Sequence, residues 1–274
     1  MKTILVASDF SNCASNAMEY GMELAKILGF DLCVIHAIGA TEGVFNNIYN
    51  AIYIEDYYTK KRRALASWAE AYTTRDEFKN IQVTTLCAVG SLTSVIDNYI
   101  KSNPVEMLVM GTMGSTGILG LFGSNASLVV EKIRTPTLII PLESKFSKDP
   151  VITLATDFSS NLSAEDVEAL NVLIEAFESE SLNVLNVNES ADGGSNETGE
   201  NVLKKLITGA RMDFTYISKS NPLDGIMDFI ISSETDILFL VKRHYPLIYR
   251  IFNRSIVNQV MSRSVKAILV LHDK

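Results

Sequence analysis

Glycine recurs at every third position from Gly111 to Gly123, within Met110-Gly-Thr-Met-Gly-Ser-Thr-Gly-Ile-Leu-Gly-Leu-Phe-Gly-Ser-Asn125. An apolar run at 105–110 precedes these glycines, and an amphipathic run at 126–133 follows. Strand, glycine-rich loop and helix is the order that lets backbone N–H groups wrap a phosphate. Glycine tolerates φ > 0 and carries no Cβ to hold a ligand off the main chain. The chemistry on offer is therefore anion binding, with a nucleotide as the leading candidate. The spacing is neither a Walker A nor a Gly-x-Gly-x-x-Gly motif, and its bland reading is a surface loop with easy turns. No Lys or Arg falls between Gly111 and Asn125. Phosphate charge would be met by main-chain amides, by Ser115, Thr116 and Ser124, and by a helix end worth only about half a unit charge. That predicts a divalent cation, Mg2+ first, beside a triphosphate, or a preference for less charged nucleotides. Ile118, Leu119, Leu121 and Phe122 are apolar for a solvated loop and are expected to pack on the body of the protein.

Asp9 is the second candidate. It ends the opening apolar run Lys2-Thr-Ile-Leu-Val-Ala-Ser-Asp-Phe-Ser11. Its carboxylate can accept hydrogen bonds from a ligand, and it can equally serve as a helix N-cap. The remaining reactive types read more plainly. His36 sits in a strand-like run and is expected to be a satisfied core or edge residue. None of His36, His244 and His272 has a second ligand at metal spacing, so no structural zinc is expected. Cys13, Cys33 and Cys87 form no Cys-x-x-Cys pair and read as small buried hydrophobes of a reduced compartment. No Gly-x-Ser-x-Gly context marks a serine nucleophile, and no catalytic residue is assigned. Trp68 falls at helical spacing between Leu65 and Tyr72 and reads as core or interface. The basic and aromatic segment 242–254 reads as a solvated helix face with Leu247, Ile248, Ile251 and Phe252 inward, its alternative being an anion or partner surface.

The elements that must position these residues occur twice. The opening run to Ser11 matches Val151-Ile-Thr-Leu-Ala-Thr-Asp-Phe-Ser159, and a helical pattern follows each Asp-Phe-Ser triplet. Leu92, Val95, Ile96, Tyr99 and Ile100 are echoed at identical spacing by Leu223, Ile226, Met227, Ile230 and Ile231. Pro136-Thr-Leu-Ile-Ile-Pro141 is echoed by Lys266-Ala-Ile-Leu-Val-Leu271. The first copy carries extra residues, placed within 41–63. The boundary falls near 143–150, giving units 1–143 and 150–274. Apolar strands alternating with helices predict two Rossmann-like α/β domains. Each has a five-stranded parallel sheet in the order 3-2-1-4-5 with helices on both faces. Strands one and four are then neighbours at the switch point, which brings Asp9 and Gly111 into one site. The second copy keeps Asp157-Phe-Ser but has Val241, His244, Leu247, Arg250 and Asn253 where the first has its glycines. It is expected not to bind nucleotide in the same manner. The closing strands, Thr137–Pro141 and 267–271, are exposed apolar edges unless covered.

Composition narrows the field. The chain has 274 residues, 47% hydrophobic and 20% charged, enough to bury a core in two ordinary domains. Its net charge of −8 argues against a nucleic-acid partner. The first apolar run breaks at Asp9, too early for a signal peptide, and no apolar stretch is long enough to span a membrane. A cytoplasmic location is expected.

Together these features resemble the universal stress protein family in a tandem two-domain form. The carriers are the opening strand with Asp9-Phe10-Ser11, the loop from Gly111, the Gly123-Ser124 pair and the closing strand after Pro136. Nucleotide-binding members show Gly-x-x-Gly, nine residues, then Gly-Ser/Thr. Here Gly111-Thr-Met-Gly114 is followed by eight residues before Gly123-Ser124, a loop one residue short. The resemblance implies that Ala7, Ser8, Asp9 and Ala37 line the adenine and ribose, and that Met110, Gly111, Gly114, Gly123, Ser124 and Asn125 hold ribose and phosphates. It implies ATP or another adenine nucleotide as ligand, and regulation rather than catalysis. It further implies pairing of closing strands, here between the two halves as an internal pseudo-dimer, with a homodimer as a further possibility. A nucleotide-free scaffold and a slow ATPase are the rivals.

Overall fold

The computed structural model of the chain describes residues 2–39, 42, 51–113, 124–158, 162–188, 195–242 and 256–273, with backbone alone at 51–53 and 124. Gly114, Gly117, Gly120 and Gly123, the apolar loop residues near them, and 243–255 lie outside the described residues. The first five strands are β1 (Thr3–Ala7), β2 (Asp31–Ile38), β3 (Val83–Val89), β4 (Val105–Thr112) and β5 (Thr137–Pro141). The next five are β6 (Ile152–Ala155), β7 (Ser181–Asn188), β8 (Arg211–Ser218), β9 (Ile237–Lys242) and β10 (Ala267–His272). All ten form one sheet in the order β3-β2-β1-β4-β5-β10-β9-β6-β7-β8. Neighbours within each group of five are parallel. The order 3-2-1-4-5 therefore occurs twice, as the repeated pattern predicts.

The inner strands are largely apolar on both faces because helices cover both. Successive side chains of a strand point to opposite faces, so each strand feeds two cores. Ile4, Val6, Leu32, Val34 and Val109 pack under Met18, Leu24 and Leu65, from α1 (Asn12–Leu28) and α2 (Ala51–Thr73). Leu5, Ala7, Cys33, Ile35 and Met110 pack under Val95, Ile96, Val129 and Val130, from α3 (Leu92–Ser102) and α4 (Ser124–Lys132). The second group has α5 (Ala164–Ala176) and α6 (Glu197–Leu206) on the first face, and α7 (Pro222–Ser232) and α8 (Ile256–Arg263) on the other.

The groups meet at β5 and β10, which run antiparallel with Thr137, Leu138 and Ile139 opposite Val270, Leu269 and Ile268. Leu138 and Ile140 share a core with Leu269 and Leu271, whereas Ile139 shares the other with Ile268 and Val270. Leu138 therefore corresponds to Leu269, one residue beyond the partner suggested by the sequence echo. A one-residue slip would turn every side chain to the wrong face.

The connecting segment near the expected boundary is strapped down. Asn16 of α1 donates through Nδ2 to the carbonyls of Pro141 at 2.9 Å and Ser144 at 2.9 Å. The Phe146 ring lies between Tyr20, 5.1 Å away, and Phe177 of the second group, 5.9 Å away.

One close approach sets where α1 begins. A Cβ built on Gly111 would lie 2.2 Å from the carbonyl oxygen of Cys13 and 3.0 Å from the nitrogen of Ala14. The first turn of α1 rests directly on the backbone of β4. In the second group Val241 holds this place and packs on the same core. There α5 starts at Ala164, seven residues after Asp157, whereas α1 starts at Asn12, three after Asp9.

Two predictions follow from this packing. Gly111→Ala forces backbone against backbone and should cost about 1–3 kcal/mol in urea unfolding; a cost near zero would show that α1 can lift away. Asp166 of α5 is 1% exposed and its Oδ1 has no partner among the described residues. Burial raises its carboxyl above the ordinary range, against hydrogen bonds from Ser163 and from the His272 amide that lower it. The folded chain thus holds this proton more tightly than the unfolded chain does. Stability from Asp166 is greatest below the unfolded value of about 4 and is lost as pH rises toward the native value. Asp166→Asn should therefore gain melting temperature relative to the parent as pH rises above about 4, and a constant difference would refute the assignment.

Candidate functional site

The site expected from sequence lies where β1 and β4 end side by side. Ala7 is in register with Met110 and with Ile35 of β2. Beyond Ala7 the chain makes a tight turn. The Ser8 amide continues the ladder by donating to Ile35 O at 2.9 Å. Ser8 Oγ accepts from the Phe10 amide at 3.2 Å, and Asp9 Oδ1 accepts from the Ser11 amide at 3.0 Å. Phe10 takes φ 65, an uncommon conformation for a non-glycine residue. Ser11 Oγ then accepts from Ala14 N and caps α1. The N-cap role weighed for Asp9 thus belongs to Ser11. Asp9 braces the turn through one oxygen and stands exposed at the carboxyl edge.

The structure brings Ala7, Ser8, Asp9, Ala37, Met110 and Gly111 to this one edge. Gly114 and Gly123 fall outside the described residues. Ser124 opens α4 and Asn125 is exposed on its first turn. Because α4 returns between the parallel strands β4 and β5, its N-terminus faces the same edge, where the positive end of the helix dipole favours anions. Among the described residues no group of His, Cys, Asp or Glu is arranged to hold a metal ion. Cys13 and Cys33 are buried and Cys87 is half-buried. Burial, then the charge of Asp9, pushes the Cys13 thiol up, which keeps it protonated and unreactive.

Sequence reasoning missed Glu42. Its Oε1 accepts from the Gly39 amide at 2.9 Å, and its Oε2 accepts from Tyr57 Oη at 2.9 Å. The Gly39 hydrogen bond, then Tyr57 and Lys61, holds this carboxyl below the usual range. It closes the end of β2 beside Ala37. The signal is a carboxylate three residues past Gly39, inside the stretch that reads only as extra length.

The corresponding edge of the second group keeps the turn. The Thr156 amide donates to Leu185 O at 2.9 Å, Thr156 Oγ1 accepts from the Phe158 amide at 3.0 Å, and Phe158 takes φ 59. The end of β9 differs. Lys242, 5% exposed, stands where β4 has Thr112 and ion-pairs with Glu131 of α4. This strand end is thus engaged by a side chain from the first group.

Comparison with known proteins agrees with this geometry. The model of the universal stress protein family matches residues 1–141. Universal stress protein YxiE of Bacillus subtilis is 24% identical over 144 residues, covering 50% of this chain and 97% of that protein. A universal stress protein of Archaeoglobus fulgidus superposes with a TM-score of 0.77 at 18% identity, covering 98% of each chain. A functionally unknown protein of Pseudomonas aeruginosa superposes with a TM-score of 0.58 at 10% identity, over 99% of this chain and 92% of that one. With the family model matched across residues 1–141, over half of the chain, and with a likeness of fold running the length of both groups, the chain belongs to the universal stress protein family.

Proposed function

We propose that this chain is a nucleotide-binding regulator whose first half, 1–143, takes ATP or a related adenine nucleotide with Mg2+. The second half, 150–274, has given up that site. One observation carries the reading: the exposed Asp9 turn stands beside Met110 and Gly111 at the strand-order reversal, facing the N-terminus of α4. Ala7, Ser8, Asp9 and Ala37 form the adenosine end. Met110, Gly111, Gly114, Gly123, Ser124 and Asn125 form the ribose and phosphate end. The absence of Lys and Arg between Gly111 and Asn125 makes the cation part of the ligand. The protein acts in the cytoplasm by binding rather than by turnover, and its halves behave as an internal pseudo-dimer through β5 and β10. Among the described residues no helix is long and apolar enough to cross a membrane.

A second reading, a nucleotide-free scaffold, is favoured by the backbone of α1 filling the space over Gly111. Titration calorimetry separates the two. The proposal expects one ATP per chain, affinity that falls when Mg2+ is chelated, and no steady hydrolysis. Asp9→Ala should weaken binding by about 10- to 100-fold, the worth of a charge-assisted hydrogen bond. No heat with ATP, ADP or adenosine, and no nucleotide released from the purified protein, would leave the scaffold reading standing.

A further inference from the structure

At one position the two copies of the strand-end turn are held by different side chains making the same bond. His36 Nδ1 lies 2.8 Å from the carbonyl oxygen of Ser8. A carbonyl can only accept, so Nδ1 carries the proton of this bond. His36 is 7% exposed, its ring lies 4.7 Å from that of Phe10, and Nε2 has no partner among the described residues. In the second half Asn186 stands at this position, 5% exposed, and its Nδ2 donates to Thr156 O at 2.8 Å. The distance and the burial match while the chemistry of the side chain does not. What the position requires is a single N–H on a nitrogen bonded directly to Cγ. The imidazole as a proton carrier is not needed.

Resting on the nucleotide-binding reading above, we infer that His36 is a positioning residue: its Nδ1–H fixes the Ser8 carbonyl and thereby the Asp9 turn that receives the nucleoside end of the ligand. Ser8 is the hinge of that turn. Its amide is held by Ile35, its hydroxyl takes the Phe10 amide, and its carbonyl is the remaining backbone group on which the peptide to Asp9 can swing. With His36 in place the peptide is locked and Asp9 presents its carboxylate in one direction. Without a donor there, the Ser8–Asp9 peptide is free to rotate, and the left-handed Phe10 that follows loses its reason to persist.

The test uses three variants of the full chain, His36→Asn, His36→Gln and His36→Leu. Asparagine places an amide N–H where Nδ1 was, as Asn186 does; glutamine places it at the distance of Nε2; leucine removes it. Calorimetry with ATP, ADP and adenosine should give His36→Asn within about twofold of the parent and His36→Leu and His36→Gln weaker by about three- to tenfold. The loss should be equal for all three ligands, because it acts on the nucleoside end and not on the phosphates. Amide exchange at Phe10 and Ser11 should quicken in His36→Leu and stay unchanged in His36→Asn, with or without nucleotide. Nitrogen NMR should show a proton on Nδ1 in the parent. Unchanged affinity and exchange in His36→Leu would overturn the inference, as would rescue by glutamine in place of asparagine. If the parent binds no nucleotide, the functional reading falls and the exchange comparison still decides whether His36 locks the turn. If His36→Leu fails to fold, the asparagine and glutamine pair carries the same contrast.

Discussion

The missing side chain at Gly111 is the constraint on which the first half depends. Because the backbone of β4 is bare there, α1 can begin three residues after Asp9 and seat its first turn on the strand. That seat brings the Ser11 cap, the left-handed Phe10 and the Asp9 brace into one compact turn at the sheet edge. The second half is an internal control. Val241 fills the equivalent space, and α5 starts later, at Ala164. The turn at Thr156 survives because its supports come from β7 and from its own hydroxyl rather than from the helix. Loss of the glycine therefore removes the helix seat and the close approach to β4 together, while leaving an Asp-Phe pair that still looks intact in sequence.

Joining the halves is the work of burial more than of charge. Leu138, Ile139, Ile268, Leu269 and Val270 at the β5–β10 seam are each at most 1% exposed. A fully buried side chain of this kind is worth about 1.5–3 kcal/mol. The Lys2–Glu168 ion pair also crosses between the groups, but its side chains are 43% and 59% exposed, and such pairs contribute about 0–1 kcal/mol. Lys242–Glu131 is of another kind, since Lys242 is buried. Removing one partner of such a pair leaves an uncompensated charge, so it fixes the relative placement of α4 and β9 more than it adds net stability. Asn16 and Phe146 close the connecting segment from outside.

Strand identity, the duplication and the strand order were legible because each rests on local pattern: apolar runs, helical spacing and the paired Asp-Phe-Ser triplets. What was not legible rests on contacts between distant residues. The choice of Ser11 over Asp9 as helix cap depends on the Phe10 conformation, which no propensity fixes. The one-residue shift between the closing strands depends on which face each side chain meets, and the two apolar runs read alike in either register. His36 reads as a strand residue from its apolar neighbours, but its task rests on a bond to the Ser8 carbonyl that Asn186 repeats in the second half and that no sequence pattern encodes. Glu42 and Tyr57 are fifteen residues apart, in a stretch with no counterpart in the second half, so repetition could not point to them.

The account turns on one half holding an open strand-end site and the other a closed one. Hydrogen–deuterium exchange of the full chain, with and without ATP and Mg2+, measures that difference directly. The account predicts slowed exchange at Ser8–Asp9, at Gly111 and in the first turn of α4, with Thr156–Asp157 and the end of β9 unmoved. Equal protection at both strand ends, or protection at neither under saturating nucleotide, would contradict it.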